Sequence, residues 1–196
     1  MKFITILAFL VLLLSSCMGT NTRVAELPLP PQPIKHPAFT LLPPAETGWL
    51  VANMSQYNLS LAKKGNAIDE SYAIQVMLFQ LPTFSNDEEF KNYVIDGFNE
   101  DTSSTRFNTI SSSNEITNIN TLNCVKNRTA TEDTQSVKQS SNNESMILEV
   151  INYTCKHPTV KNVGANISYS HRYYTGHADA KLDKHSLDLM DDFKFN

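Results

Sequence analysis

Four histidines and three aspartates gather in the last quarter of the chain: His157, His171, His177 and His185 with Asp179, Asp183 and Asp188. Imidazole nitrogens and carboxylate oxygens are the donors a divalent transition metal takes. Their spacing, however, matches neither a His-Glu-x-x-His helix nor any other metal-ligand pattern, so no metal ligand set and no cofactor is assigned. His171 falls on the apolar face of an alternating run and reads as a hydrogen-bonded core or interface residue, while His177 follows Gly176 and reads as part of a turn. Asp183, Asp188, Asp191 and Asp192 invite comparison with an acid/base carboxylate pair, but such pairs need a cleft that splits their pKa values. Interspersed with Lys181, Lys184 and Lys194 they read as the solvated face of a helix. No Gly-x-Ser-x-Gly, Ser-x-x-Lys or glycine-rich phosphate loop occurs, so no catalytic residue is assigned.

The remaining constellation is Arg172 among Tyr169, Tyr173 and Tyr174. Arginine and tyrosine combine contact area with directional donors and are enriched at binding hot spots. Tyr169, Arg172 and Tyr174 are therefore the candidate recognition residues, with packing within a sheet as the competing explanation. Cys124 and Cys155 form the other pair. Neither belongs to a Cys-x-x-Cys motif, and two thiols on an exported domain end as a disulfide.

Export is read from the first residues. Lys2 precedes an apolar run from Phe3 to Leu14 that is closed by Leu14-Ser15-Ser16-Cys17. Twelve apolar residues fall short of the ~20 a spanning helix needs. The run resembles a signal peptide, and its end resembles the lipobox of bacterial lipoproteins. That resemblance implies cleavage before Cys17, acylation of its thiol and a membrane anchor through the acyl chains. It also implies an envelope location. Met18, which is not the aspartate that favours inner-membrane retention, points to the outer membrane facing the periplasm.

The elements that would carry these residues follow from pattern. Residues 1–16 are the expected signal peptide and 17–45 a lipidated, proline-rich tether, because seven of the nine prolines lie there. Leu27, Leu29, Phe39, Leu41 and Leu42 offer an alternative in which this segment lies along the domain as a strap. Residues 46–196 are expected to form one globular domain. Trp49-Leu-Val-Ala and Tyr57-Asn-Leu-Ser-Leu read as strands, and Tyr72 to Leu81 as a central strand apolar on both faces. Ser85 and Glu88 have capping-box spacing, and Phe90, Tyr93, Val94 and Phe98 then mark one helix face from about Asn86 to Glu100. Residues 101–123 read as one or two short strands around a polar loop. Strands are expected from Cys124 to Thr131, Met146 to Cys155 and Val163 to Tyr174. A hairpin centred on Gln139 and Ser140 would oppose the two cysteines. Asp179 is positioned to cap a last helix bearing Leu182, Leu189, Met190 and Phe193, with a short strand at Phe193–Phe195.

The expected fold class is therefore α+β, an antiparallel β-sheet flanked by two helices. This order of elements, ending in Asp-Asp-Phe-Lys-Phe, is similar to the PsbP-like α/β/α sandwich proteins. The resemblance covers most of 46–196 and implies a binding or assembly role on membrane-associated complexes, with no residue role carried over. The net charge is −4 and no lysine or arginine cluster occurs, which makes nucleic acid a poor partner. The expectation is a non-enzymatic binding or assembly module for an envelope complex, with a protein partner. A small-ligand or metal-binding lipoprotein, or a hydrolase of unrecognised type, are the alternatives.

Overall fold

The computed structural model describes residues 25–101, 105–140 and 144–196. The signal segment and Cys17 lie outside them. The described chain runs β1 (Ile34–Lys35), β2 (Phe39–Leu41), β3 (Leu50–Met54), β4 (Asn58–Lys64), β5 (Ser71–Gln80), α1 (Asp87–Asp101), β6 (Phe107–Ile119), β7 (Leu122–Asp133), β8 (Met146–Lys156), β9 (Val163–Tyr174), α2 (Leu182–Asp192) and β10 (Lys194–Phe195). Seven strands form an antiparallel sheet in the order β3-β4-β5-β9-β8-β7-β6, and β1, β2 and β10 form a small second sheet. The protein has an α+β fold.

Strand alternation sends one set of residues to each face of the large sheet. Leu59, Leu61, Ile74, Val76, Ile151, Tyr153, Ile167 and Tyr169 meet Leu182, Leu189, Met190 and Phe193 of the C-terminal segment in the main core. On the opposite face Leu81 and Val125 meet Phe90 and Val94 of α1 in a smaller cluster. One helix thus covers each face, but α1 seals only one end of its face.

Several boundaries differ from the sequence reading for identifiable reasons. Residues 34–41, expected within the tether, are part of the fold: β2 pairs with both β1 and β10, and Phe39 and Leu41 are fully buried. Phe39 and Leu41 are buried and Leu27 packs against the core as in the strap arrangement, whereas Leu29 is 48% exposed. β5 is central but not covered on both faces. Ile74 and Val76 are buried, whereas Met77 on the other side is 52% exposed because α1 does not reach it.

The capping frame of α1 is shifted by one residue: Asn86 Oδ1 accepts the Glu89 amide at 2.8 Å, and the Glu89 carboxylate accepts the Ser85 amide. α2 begins at Leu182 without a side-chain cap, and Asp179 Oδ1 instead accepts the Lys181 amide one turn earlier. Residues 107–119 make one long strand, turned into β7 by Asn120 and Thr121, both at positive φ (49° and 71°). Two such residues give the hairpin twist that flanking strands require. β7 and β8 pair with Cys124 directly opposite Cys155, and their sulfurs stand 2.06 Å apart, at disulfide distance.

Candidate groove between helix and sheet

Strand β9 carries the sequence-nominated recognition residues, and its alternation separates them. Tyr169 points into the main core, 1% exposed, edge-on to Trp49 and Tyr72. Burial, with the carboxylates of Glu46 and Asp179 nearby, pushes its phenol well above the ordinary range. Arg172 and Tyr174 lie on the opposite face. Arg172 Nη2 stands 3.2 Å from the fully buried Asp133 carboxylate, which also receives Arg106 through Nε and Nη2 at 2.9 and 2.8 Å. Tyr174 Oη donates to Asp69 at 2.7 Å, and the Ser140 hydroxyl stands 2.8 Å from the same phenol. The three residues form no common surface. Arg172 and Tyr174 direct polar atoms at Asp133, Asp69 and Ser140 within the fold.

The histidines and aspartates of the last quarter are likewise dispersed. His171 is fully buried, stacked on Tyr72, with Nε2 2.7 Å from Glu70 Oε1. Burial opposes the Glu70 charge, but the amides of Ala67 and Asn66 and the His171 ring outweigh it and hold the carboxyl below its usual value. His157 Nδ1 accepts the amides of Thr159 and Val160. His177 is exposed in a turn. His185 faces Asp179 at 3.4 Å. Asp183 pairs with Lys126 at 3.3 Å and with Arg128, and Asp188 pairs with Lys184 at 2.6 Å. Among the described residues, no three His, Cys, Asp or Glu side chains gather at metal-binding distance.

The surface best built to receive another molecule is the partly uncovered sheet face beside α1. A groove of about 520 Å³ runs there between Tyr93, Gly97 and Phe98 of the helix and Met77, Phe79, Asn152 and Asn166 of the sheet. Its existence follows from local sequence. Phe90 and Val94 anchor the helix by one stripe, while Tyr93, 45% exposed, stands on the flank and forms a wall. Gly97 has open space where a Cβ would project, so the helix leaves the groove unobstructed at that turn.

The floor is polar because β7, β8 and β9 place amides and hydroxyls on this face. Asn166 donates to Thr154 Oγ1 at 3.0 Å, and Asn152 to Asn127 Oδ1 at 3.4 Å. Asn127 in turn donates to Asn114 Oδ1 at 2.8 Å. Walls that are apolar apart from Asp96 on the helix, over an amide floor, suit an extended polypeptide, whose backbone needs hydrogen bonds and whose side chains need apolar contact. The helix face marked by the aromatic stripe is divided, with Phe90 and Val94 in the core and Tyr93 outside it. The exposed pair Tyr93 and Met77 carried no separate signal, because their proximity depends on how the helix crosses the sheet.

No family model and no curated protein matches the chain. Among solved structures the chain is similar to PsbP of the cyanobacterium Synechocystis, at 12% identity over 93% of this chain and 99% of that one, with a TM-score of 0.42. It is also similar to the Saccharomyces cerevisiae Ran-binding protein Mog1p, at 10% identity over 84% and 94% of the two chains, with a TM-score of 0.44. A Bacteroides thetaiotaomicron protein is 8% identical over 81% of this chain, with a TM-score of 0.42, and the chain spans 45% of that protein's length. These are likenesses of fold.

Proposed function

We propose that the chain is a lipid-anchored envelope protein, held through Cys17 at the outer membrane facing the periplasm, whose domain binds an extended segment of a partner protein. The observation that carries the binding role is the groove beside α1, with Met77 52% and Tyr93 45% exposed over an amide floor. Exposed aromatic and methionine side chains around a concavity supply contact area at small entropic cost, and methionine adapts to irregular partners. The anchoring half rests on the Leu14-Ser15-Ser16-Cys17 pattern. Glu26, which bridges to Leu50, stands nine residues beyond Cys17, so at most about 30 Å of extended chain separates the anchor from the domain.

Two experiments on the full chain separate the halves. In detergent phase partitioning the native protein should enter the detergent phase and Cys17→Ser the aqueous phase; equal partitioning would remove the anchor. Met77→Asp and Tyr93→Asp should abolish co-purification of the partner without lowering the melting temperature, and unchanged recovery would remove the groove.

A further inference from the structure

The helix that walls the groove holds most of the molecule's charge imbalance. Six acidic residues and one lysine lie in the 15 residues of α1, a net charge of −5 against −4 for the whole chain. The remainder of the chain is therefore close to neutral. Near the start of α1 the carboxylates have partners: Asp87 meets Lys156 at 2.8 Å, Glu88 meets Lys91 at 3.3 Å, and Glu89 accepts the Ser85 amide. The last turn has no basic residue to answer the negative end of the helix dipole.

Asp96 differs from the carboxylates at the start of the helix. It is exposed, and no lysine, arginine or histidine among the described residues pairs with it. It is also the one charged residue among those lining the groove. Standing three residues beyond Tyr93, it shares that residue's flank of the helix. A carboxylate beside a tyrosine ring suits a cationic side chain with a long apolar stem, whose head meets the charge while the stem lies along the ring.

We propose that the segment received by this groove is basic: an extended polypeptide that turns apolar side chains to Met77 and Phe79 and sets a lysine or arginine against Tyr93 and Asp96. The inference rests on the groove as the binding site and adds the sign of the partner's charge. Side chains of an extended chain alternate, so every second residue meets the sheet while those between are free to reach the helix flank. Because Asp96 lies at the rim, the pair selects and steers the partner more than it tightens the complex.

The test uses the full chain and two fluorescein-labelled seven-residue peptides, one alternating valine with lysine and the other valine with glutamate, read by fluorescence anisotropy. The native protein should bind the lysine peptide at least about five-fold more tightly than the glutamate peptide. Asp96→Lys should weaken the lysine peptide about five-fold and bring the glutamate peptide closer to it. Asp192→Lys, at an exposed position of α2, should change either by less than about two-fold. Gly97→Leu, which fills space left open at that turn, should remove binding of both without lowering the melting temperature. Equal affinity for the two peptides, abolished by Gly97→Leu, would overturn the inference and leave the groove standing. The same loss from Asp192→Lys as from Asp96→Lys would overturn it too, since the attraction would then be to net charge alone. Binding untouched by Gly97→Leu, or of neither peptide by the native chain, would remove the groove as well.

Discussion

Replacing Asp133 by asparagine keeps the shape of the side chain and removes the charge that Arg106 and Arg172 share. The carboxylate is fully buried, receives Arg106 in a fork, lies 3.2 Å from Arg172 and accepts the Gln135 amide at 3.3 Å. Breaking a buried pair by removing one partner costs about 3–5 kcal/mol. Here both arginines retain a route to water, with 38% and 28% of their side chains exposed, which lowers the penalty. We expect Asp133→Asn to cost about 2–3 kcal/mol and Arg172→Met about 1–2 kcal/mol. For a domain of this size the first corresponds to a fall of about 4–12 °C in melting temperature.

The double variant should cost less than the sum, with a coupling of about 1 kcal/mol. The Arg106 guanidinium, ahead of the opposing effect of burial, holds the Asp133 carboxyl below its ordinary 3.8. That contribution is fully present above the unfolded value and is lost as pH falls through the folded one. The stability gap between native and Asp133→Asn protein should therefore be constant near neutrality and narrow below about pH 4. Urea unfolding at a series of pH values measures it. Arg172→Met with unchanged stability and lost partner binding would refute the structural assignment and return Arg172 to recognition.

Three further outcomes follow from the fold. Phe39→Ala, at a fully buried position of β2, should cost about 3–5 kcal/mol in denaturant unfolding; a loss under about 1 kcal/mol would mean that this segment is a tether after all. Thr121→Gly should raise the melting temperature by about 2–4 °C, because a β-branched residue at φ 71° is strained and glycine is not. Removing the Cys124–Cys155 link by reduction, or by alanine at both positions, should cost about 3–4 kcal/mol on the chain-entropy account, and an unchanged melting temperature would show the link absent.

What was legible in the sequence tracks the strength of local signals. β9 was delimited at both ends because Ile167, Tyr169, His171 and Tyr173 alternate with smaller or polar residues between Val163 and Tyr174. The β7–β8 register was legible because two cysteines flank one polar segment. β6 was not, since a solvent-facing edge strand needs no apolar alternation and its turn uses Asn-Thr where Asn-Gly would announce a hairpin. The burial of Phe39 and Leu41 was hidden by the proline content around them, because it depends on β2 pairing with β10, more than 150 residues away. The recognition trio failed on a rule already visible, as residues 169 and 172 of one strand have opposite parity and face opposite sides. The groove depends on the crossing of α1 over the sheet, a long-range relation that no local pattern encodes.

The central claim, that the face beside α1 receives a partner, is tested most directly by placing a photoreactive side chain at Met77 in the full chain and irradiating intact cells. Leu187, 46% exposed on the opposite face, serves as the control position. The account predicts one adduct of defined mass from position 77 and none from 187. No adduct from 77, or the same adducts from both positions, would contradict it.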